Sequence, residues 1–335
     1  MKQTLLFSII LLASNLILFG QNNTVLDKIY KHSSVITEND TINYHTHAKQ
    51  SIDSINTLFL YIQGSRARSL YQLRERNGKT SIKTVLPFTL TTIPTNYLFV
   101  VISRKGFPFL MKTAKSFSTP KSYFEHQTLQ YRANQADLVI NDLCNKYNKK
   151  FDKIIVLGHS EGSDVTAKLG TINDKITHFG YLSGGGNTQF IDFVTFIRKD
   201  VDKGHLTEQQ AQNKIDTLFN DLKNIMSDPN ATDKFWQGEN NSYNRWSHFS
   251  EPPVENLLQI EKPIFAAIGT KDQAVALESA YLIPIEFIRH RKDNLTFKVY
   301  PDLDHGFGKE IENGKFEEHW DDVFQDFLNW VNQTE

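Results

Sequence analysis

The sequence predicts an α/β protein in which helices cover both faces of a mostly parallel central sheet. One observation is that short apolar runs alternate with helix-length patterns through most of the chain. Another is that no internal repeat interrupts this alternation. A third is that one apolar run ends in Gly158-His159-Ser160-Glu161-Gly162, a sequence typical of a sharp turn from a strand into a helix. Strands that alternate with helices favour parallel pairing, because each helix carries the chain back to the start of the sheet.

The predicted strands are short apolar runs bounded by turn residues. They are Leu58–Ile62, Tyr97–Ile102, Ile154–Leu157, Phe179–Leu182, Ile264–Ile268 and Phe297–Tyr300. The predicted helices between and after them have apolar residues at spacings of three and four. They are Tyr123–Tyr147, Leu277–His290 and Phe316–Val331. These elements are spread over the chain from residue 58 to residue 331.

The segment from Asn187 to Asn256 breaks the alternation, because it contains no convincing strand. Its first part predicts two helices, Phe190–Asp202 and Thr207–Met226, and its second part is polar and rich in aromatic residues. An insertion of this size beside a sheet is often a lid over a ligand site. The alternative is a helical extension that only buries part of the sheet. We expect a lid within a single domain spanning residues 21–335.

Size and charge exclude several classes of protein. The chain has 335 residues and a net charge of −1, without long basic or acidic blocks. Nucleic acids and anionic membranes are therefore poor candidates as partners. Cys144 is the single cysteine, so no internal disulfide can form and the domain must depend on its hydrophobic core.

The first twenty residues have the pattern of a signal peptide. Lys2 supplies the positive start, Leu5 to Phe19 is a largely apolar run, and Gly20 is a small residue at its end. The alternative is a membrane anchor, because the run is nearly long enough to cross a bilayer. We expect cleavage, no stable membrane anchor, and a periplasmic or extracellular protein.

Ser160 is the candidate nucleophile. The turn that carries it follows the predicted strand Ile154–Leu157 and precedes a helix-compatible stretch, so the hydroxyl would stand at the edge of a sheet. Glycines two residues before and after it are needed because side chains there would collide with the neighbouring strand and helix. A free serine is a poor nucleophile, so this prediction depends on a base, an acid and donors for a developing anion.

These features resemble the α/β-hydrolase family over Leu58 to Val331. Members of that family carry nucleophile, acid and histidine in that chain order, each after a strand. The resemblance implies that Ser160, Asp272 and His305 form the catalytic triad, since all three follow predicted strands. In these roles the histidine would take and return the serine proton, and the aspartate would orient the imidazole.

Other residues compete for the roles of acid and base. The rival acids are Asp293, Asp302 and Asp304, and the last two share the loop of the histidine, where they could make local turn bonds. Asp272 itself lies in a sequence that would also suit a turn. His290 falls in a predicted helix and His319 begins one, so neither matches the expected loop position as well as His305 does.

The resemblance also implies two backbone donors for an anion. One is the N–H of Glu161 at the start of the helix, where the helix dipole also favours negative charge. The other should come from the loop after Leu58–Ile62, where similar enzymes have His-Gly and this chain has Gln63-Gly64. Ser65 is the first choice for this donor and Arg66 the second.

Substrate contacts are predicted from residues near this sheet edge and from the lid. Gln63, Arg104, Trp236 and Trp246 are the candidates, with Arg104 able to pair with a carboxylate and the tryptophans able to line an aromatic or medium acyl site. The alternative for Arg104 is a solvated loop charge. The carboxylate of Glu161 is expected either at the substrate entry or, in preference, in solvent.

His45-x-His47 invites a metal hypothesis, because two residues two apart on a strand share a face. No further ligands cluster in the sequence, so a surface strand is preferred and we expect neither a metal nor another cofactor.

The predicted function is hydrolysis of a carboxylic ester through an acyl-enzyme on Ser160. The chain also resembles dienelactone-hydrolase-like esterases and the catalytic domains of prolyl-oligopeptidase-like peptidases. The latter carry a propeller first, for which the sequence before Leu58 is too short, so a peptidase acting on short peptides is the alternative. A non-catalytic binding protein with the same fold is the third possibility. The oligomeric state is left open.

Overall fold

The computed structural model describes residues 25–76, 78–112, 117–148 and 151–334. The predicted signal peptide lies outside the described residues. Within them, no helix combines the length and the apolar character that crossing a membrane requires.

Eight strands form the central sheet, in the order β1-β2-β6-β3-β8-β9-β10-β11. Their bounds are β1 Lys31–Ile36, β2 Thr41–His47, β3 Thr57–Ile62, β6 Tyr97–Ile102, β8 Lys153–His159, β9 His178–Leu182, β10 Ile264–Gly269 and β11 Leu295–Tyr300. The six strands from β6 to β11 in this order are parallel, whereas β1 and β2 pair antiparallel at one edge. The carboxyl ends of the parallel strands therefore meet at one edge of the sheet.

Smaller strands lie outside the central sheet. They are β4 Tyr71–Arg76, β5 Lys79–Thr84 and β7 Leu110–Lys112, which form a three-stranded sheet, and β12 Gly308–Ile311 with β13 Lys315–Glu318, which form a hairpin. A helical stretch at residues 25–29 precedes β1. The α-helices that follow it along the chain are α1 Lys121–Glu125, α2 Leu129–Lys146, α3 Glu161–Gly170, α4 Gln189–Asp202, α5 Glu208–Ser227, α6 Tyr243–His248, α7 Pro253–Leu257, α8 Leu277–Arg289 and α9 Trp320–Gln333.

Strand β3 shows how the core is built. All six of its residues are buried. Leu58, Leu60 and Ile62 belong to the apolar cluster on one face of the sheet, and Phe59 and Tyr61 belong to the cluster on the other face. Successive side chains of a strand point to opposite faces, so a continuous apolar run is what a strand covered on both sides requires. This arrangement confirms the predicted fold class.

The structure corrects two of the predicted helices and the extent of the sheet. The predicted helix Phe316–Val331 begins as strand β13, and α9 starts only at Trp320. The predicted helix Tyr123–Tyr147 is two helices, the second of which starts after Thr128, whose side chain accepts from the N–H of Tyr131. Strands β1 and β2 precede the predicted core yet complete the edge of the sheet.

Strand β2 also corrects the expectation that His45 and His47 lie on a surface strand. His45 is buried; its Nε2 lies 2.8 Å from Ser103 Oγ and its Nδ1 lies 2.6 Å from His32 Nδ1. His47 is half-buried, and its Nδ1 lies 2.9 Å from the carbonyl oxygen of Ile29. These histidines hold the antiparallel edge together.

The insertion between β9 and β10 carries helices α4 to α7. Phe190 and Trp246 are among the buried residues of a small apolar cluster inside it, and Trp236 packs against that cluster. The insertion therefore has a core of its own beside the carboxyl edge of the sheet.

Candidate active site

Ser160 occupies a strained turn between β8 and α3. Its backbone has φ 57° and ψ −131°, a conformation that residues other than glycine rarely adopt. The N–H of Ser160 donates to the carbonyl oxygen of Leu182 at the end of the next strand, at 2.9 Å. The neighbouring strand β9 thus holds the turn in its strained conformation.

The two glycines of this turn are required by close backbone approaches. A Cβ at Gly158 would lie 2.1 Å from the carbonyl oxygen of Gly162 in α3. A Cβ at Gly162 would lie 2.1 Å from the carbonyl oxygen of Ile62 in β3. A third glycine, Gly64, brings the loop after β3 against the serine, since its Cβ would lie 3.7 Å from Ser160 Oγ.

Asp272 and His305 are brought together from the loops after β10 and β11. His305 Nδ1 lies 2.8 Å and 3.0 Å from the two carboxylate oxygens of Asp272. The N–H groups of Ala274 and Val275 donate to Asp272 Oδ1 at 2.8 Å. A carboxylate that accepts the Nδ1 proton leaves Nε2 of the imidazole free to accept another. Both His305 and Ser160 line the same cavity.

The rival acids have other positions. Asp304 Oδ1 accepts from the N–H groups of Gly306 and Gly308, each at 2.8 Å, which are the local turn bonds considered as its alternative role. Asp302 is exposed and lies 3.5 Å from Lys309. Asp293 is exposed as well. Within the described residues, the carboxylate that contacts the His305 ring is that of Asp272.

His159 and Ser183 hold the loop that carries His305, and neither residue was predicted from the sequence. His159 Nε2 lies 2.8 Å from the carbonyl oxygen of His305, and Ser183 Oγ donates to the same oxygen at 3.0 Å. Burial, followed by the proximity of His305, lowers the pKa of His159 to about 4, so His159 is neutral at neutral pH. The signal available for His159 was its position directly before Ser160 in the Gly-x-Ser-x-Gly pattern, at the end of strand β8.

The loop after β3 is held through its carbonyl groups. Arg132 Nη2 donates to the carbonyl oxygen of Gln63 at 2.7 Å, Arg104 donates to that of Gly64, and Tyr123 Oη donates to that of Ser65 at 3.0 Å. Within the described residues, neither the N–H of Ser65 nor that of Glu161 donates to a backbone carbonyl group. With the carbonyl groups occupied on one side, both N–H groups are available as donors beside Ser160.

The carboxylate of Glu161 is neither solvated nor at a substrate entry, which corrects both expectations. Its side chain is 2% exposed and pairs with Arg104 at 3.1 Å, Arg132 at 2.7 Å and Arg245 at 2.8 Å. Burial alone would raise the pKa of Glu161, but Arg245, Arg104 and Arg132 outweigh it and lower the pKa to about 2. The cluster of Glu161 with these three arginines, called the arginine cluster below, joins α3, the β6 loop, α2 and the insertion.

A cavity of about 590 Å³ opens above Ser160. Its lining is polar and apolar in about equal parts and includes loop residues on both sides of the serine. Arg66 and Arg68 come from the loop after β3, and Asp164 and Asp192 come from α3 and α4. Charged groups of both signs therefore line the cavity above the serine.

Of the four residues predicted to contact substrate, one lines the cavity above Ser160 and three do not. Gln63 lines the cavity. Trp236 and Trp246 instead pack with Phe190 inside the insertion, and neither lines the cavity. Arg104 is buried against Glu161 and does not line the cavity either. The tryptophans were mispredicted for this cavity because apolar periodicity does not show which neighbours will bury an aromatic side chain. Arg104 was mispredicted because its partner, Glu161, lies on a distant segment of the chain.

The comparisons agree with this architecture. The dienelactone hydrolase family model matches residues 230–335, which include Asp272 and His305. No curated protein sequence matches the chain significantly. This match covers about a third of the chain, at its C-terminal end.

Solved structures match nearly the whole chain at low sequence identity. An acylaminoacyl peptidase from Pyrococcus horikoshii is 12% identical over 93% of this chain, with a TM-score of 0.57, and this chain spans only 43% of the length of that protein. Est1E from Butyrivibrio proteoclasticus is 13% identical over 90% of this chain and 98% of that chain, with a TM-score of 0.51. A bacterial membrane phospholipase A is 15% identical over 99% of both chains, with a TM-score of 0.53. The chain has the α/β-hydrolase fold.

Proposed function

We propose that this protein is a serine hydrolase that cleaves a carboxylic ester through an acyl-enzyme on Ser160. The observation that carries the proposal is the contact of His305 Nδ1 with Asp272 beside the strained Ser160 turn, in one cavity. His305 Nε2 takes the proton of Ser160 as the hydroxyl attacks the ester carbonyl, and then returns a proton to the leaving alcohol. Water attacks the acyl-enzyme in the second half of the reaction.

The proposed anion site consists of the N–H groups of Glu161 and Ser65. Glu161 begins a helix, so its N–H combines a free donor with the positive end of the helix dipole. The buried side chains that hold the carbonyl groups of residues 63–65 fix the second donor before substrate binds. Such fixed donors stabilise the oxyanion without reorganisation during the reaction.

A fluorophosphonate probe tests the nucleophile. We expect labelling of the wild type, and we expect Ser160→Ala to abolish it while the exposed helix-end variant Ser227→Ala keeps it. Circular dichroism and thermal unfolding check that all three proteins are folded. A folded wild type without labelling would mean that the fold serves as a binding protein, and persistent labelling of Ser160→Ala would place the nucleophile elsewhere.

The choice between ester and amide is tested by matched substrates. We expect p-nitrophenyl esters to be hydrolysed with kcat/KM values far above those of peptide p-nitroanilides with the same acyl group. The cavity lining, polar and apolar in about equal parts, suits acyl or alcohol groups that combine an apolar body with polar substituents. Amide turnover above ester turnover would favour the peptidase instead.

Export is part of the proposal and rests on the apolar run Leu5–Phe19 after Lys2. Fusing residues 1–20 to a reporter that is active only outside the cytoplasm tests it. We expect reporter activity, and replacing three leucines of the run by arginine should remove it. A fusion that remains inactive would contradict export.

A further inference from the structure

The arginine cluster carries more positive charge than the buried groups around it neutralise. Three guanidinium groups surround one carboxylate, so these four side chains have a net charge of +2, and each is at most 7% exposed. The further acid that interacts with them is Asp164, where burial comes first in raising the pKa to about 7. Asp164 is therefore only partly charged at neutral pH. Buried charge without a counterion is strongly unfavourable.

Three donors of the arginine cluster and of the neighbouring Gln63 have no hydrogen-bond partner within the described residues: Gln63 Nε2, Arg104 Nε and Arg245 Nη1. Arg245 lines the cavity above Ser160, whereas Gln63 and Arg104 line a smaller cavity, and both of these residues are more than nine-tenths buried. A buried donor without a partner costs about 1–3 kcal/mol, so native proteins seldom keep one without a bound water or ion. The donors of Gln63 and Arg104 lie on neighbouring loops and indicate a bound group between them.

A small cavity joins Gln63 and Arg104. Its volume is about 20 Å³, and Gln63, Arg104, Arg132 and Gln135 contribute polar lining. This volume accommodates one water or one monatomic ion, because a water needs about 10–15 Å³ of the same kind of space. An organic carboxylate would not fit. The cavity is distinct from the 590 Å³ cavity above Ser160, although Tyr61 and Gln63 line both.

We propose that this small cavity is a halide site that holds chloride against Gln63, Arg104 and Arg132. The positive charge favours an anion over water, and the size favours a halide over larger anions. The ion would accept from Gln63 Nε2 and Arg104 Nε and reduce the excess charge of the arginine cluster. Since Arg104 and Arg132 also bind the carbonyl groups of Gly64 and Gln63, the ion would stiffen the loop that supplies Ser65. The site does not depend on the proposed hydrolase activity.

Anion titrations of the wild-type protein test the site. Thermal unfolding is followed at constant ionic strength while sodium gluconate is replaced by sodium chloride or bromide. We expect the melting temperature to rise by a few degrees and to saturate with either halide, because a ligand that binds only the folded state stabilises it. No rise, or a rise that never saturates, would overturn the proposal. Sodium sulfate is too large for the cavity and stabilises proteins only by exclusion from their surface, so it should give no saturating rise of the melting temperature.

Crystals grown or soaked in sodium bromide locate the ion directly. We expect an anomalous peak within hydrogen-bond distance of Gln63 Nε2 and Arg104 Nε. Water-like density without an anomalous peak would show an ordered water only and would also overturn the proposal.

A variant replaces the ion by a covalent charge. In Gln63→Glu the carboxylate would occupy the position of the halide, so we expect the chloride response of the melting temperature to disappear. The control Gln130→Glu adds the same charge on the exposed surface of α2 and should keep the response. A Gln63→Glu protein that still responds to chloride would contradict the site, and if that variant does not fold, the wild-type titration and the bromide map decide.

Discussion

The imidazole of His305 is fixed at both its ring and its backbone. Asp272 contacts Nδ1, and His159 and Ser183 contact the backbone carbonyl of His305. The aspartate selects which ring nitrogen carries the proton, and the two carbonyl contacts set where the ring stands. Chain order and strand ends led to Asp272 and His305, whereas the contacts of His159 and Ser183 follow from the loop path and were not predicted.

Replacing the acid should separate it from its rivals. We expect Asp272→Asn to lower kcat by about 10³–10⁴ with a small effect on KM, because the amide no longer enforces the productive imidazole tautomer. Steady-state kinetics on a p-nitrophenyl ester measure this. The exposed Asp302→Asn variant is the control and should keep wild-type activity. Equal losses in both variants would remove Asp272 from the proposed role.

The strand-turn-helix element around Ser160 depends on backbone contacts that leave no room for a side chain. Because Gly162 faces the carbonyl oxygen of Ile62, the element can form only where α3 crosses the end of β3. The glycines were predictable from the sequence since their spacing is diagnostic of this turn. The atom that Gly162 approaches was not, because Ile62 lies on a strand a hundred residues earlier in the chain.

We expect Gly162→Ala to lower the free energy of unfolding by more than about 3 kcal/mol, or to prevent folding, since the new Cβ meets backbone that cannot move freely. Gly204→Ala is the control: unlike Gly162, Gly204 has a positive φ, of 73°, and nothing lies within 4 Å of the added Cβ. It should cost only about 1 kcal/mol from backbone strain. Urea unfolding compares them, and similar costs for both variants would argue against a steric role for Gly162.

At the scale of the whole molecule, the insertion buries acidic groups against the sheet. Asp192 of α4 accepts from the N–H of Ala276 at 3.1 Å, which ties the insertion to the start of α8. Burial raises the pKa of Asp192 to about 7; the hydrogen bonds from Ala276 and Ser279 oppose this, and the charges of Asp164 and Asp272 add to it. Burial likewise raises the pKa of Asp164 to about 7.

These raised pKa values predict how stability depends on pH. In the unfolded chain an aspartate loses its proton near pH 4, whereas in the folded protein Asp192 keeps its proton up to about pH 7. Between these values Asp192 binds more protons in the folded state, so its contribution makes the free energy of unfolding fall as pH rises from about 4 to about 7 and changes little above that. The lowered pKa of His159 contributes a rise over part of the same range. The fall attributable to one such aspartate is at most about 4 kcal/mol.

We expect Asp192→Asn to flatten this fall, because the amide does not ionise and its oxygen can still accept from Ala276. Urea unfolding at pH 5 and pH 8 measures the difference between the two free energies. The exposed Asp202→Asn variant of the same helix should retain the wild-type slope. An unchanged slope in Asp192→Asn would show that Asp192 does not carry the effect.

The sequence by itself determined the fold class, the six parallel strands and the order of Ser160, Asp272 and His305. These follow from local patterns, because strand burial and turn geometry leave their mark within a few residues. Only the tertiary structure decided the surroundings of Glu161, the burial of Trp236 and Trp246, and the edge strands β1 and β2. Those depend on which distant segments share a space, and single-chain periodicity does not encode that choice.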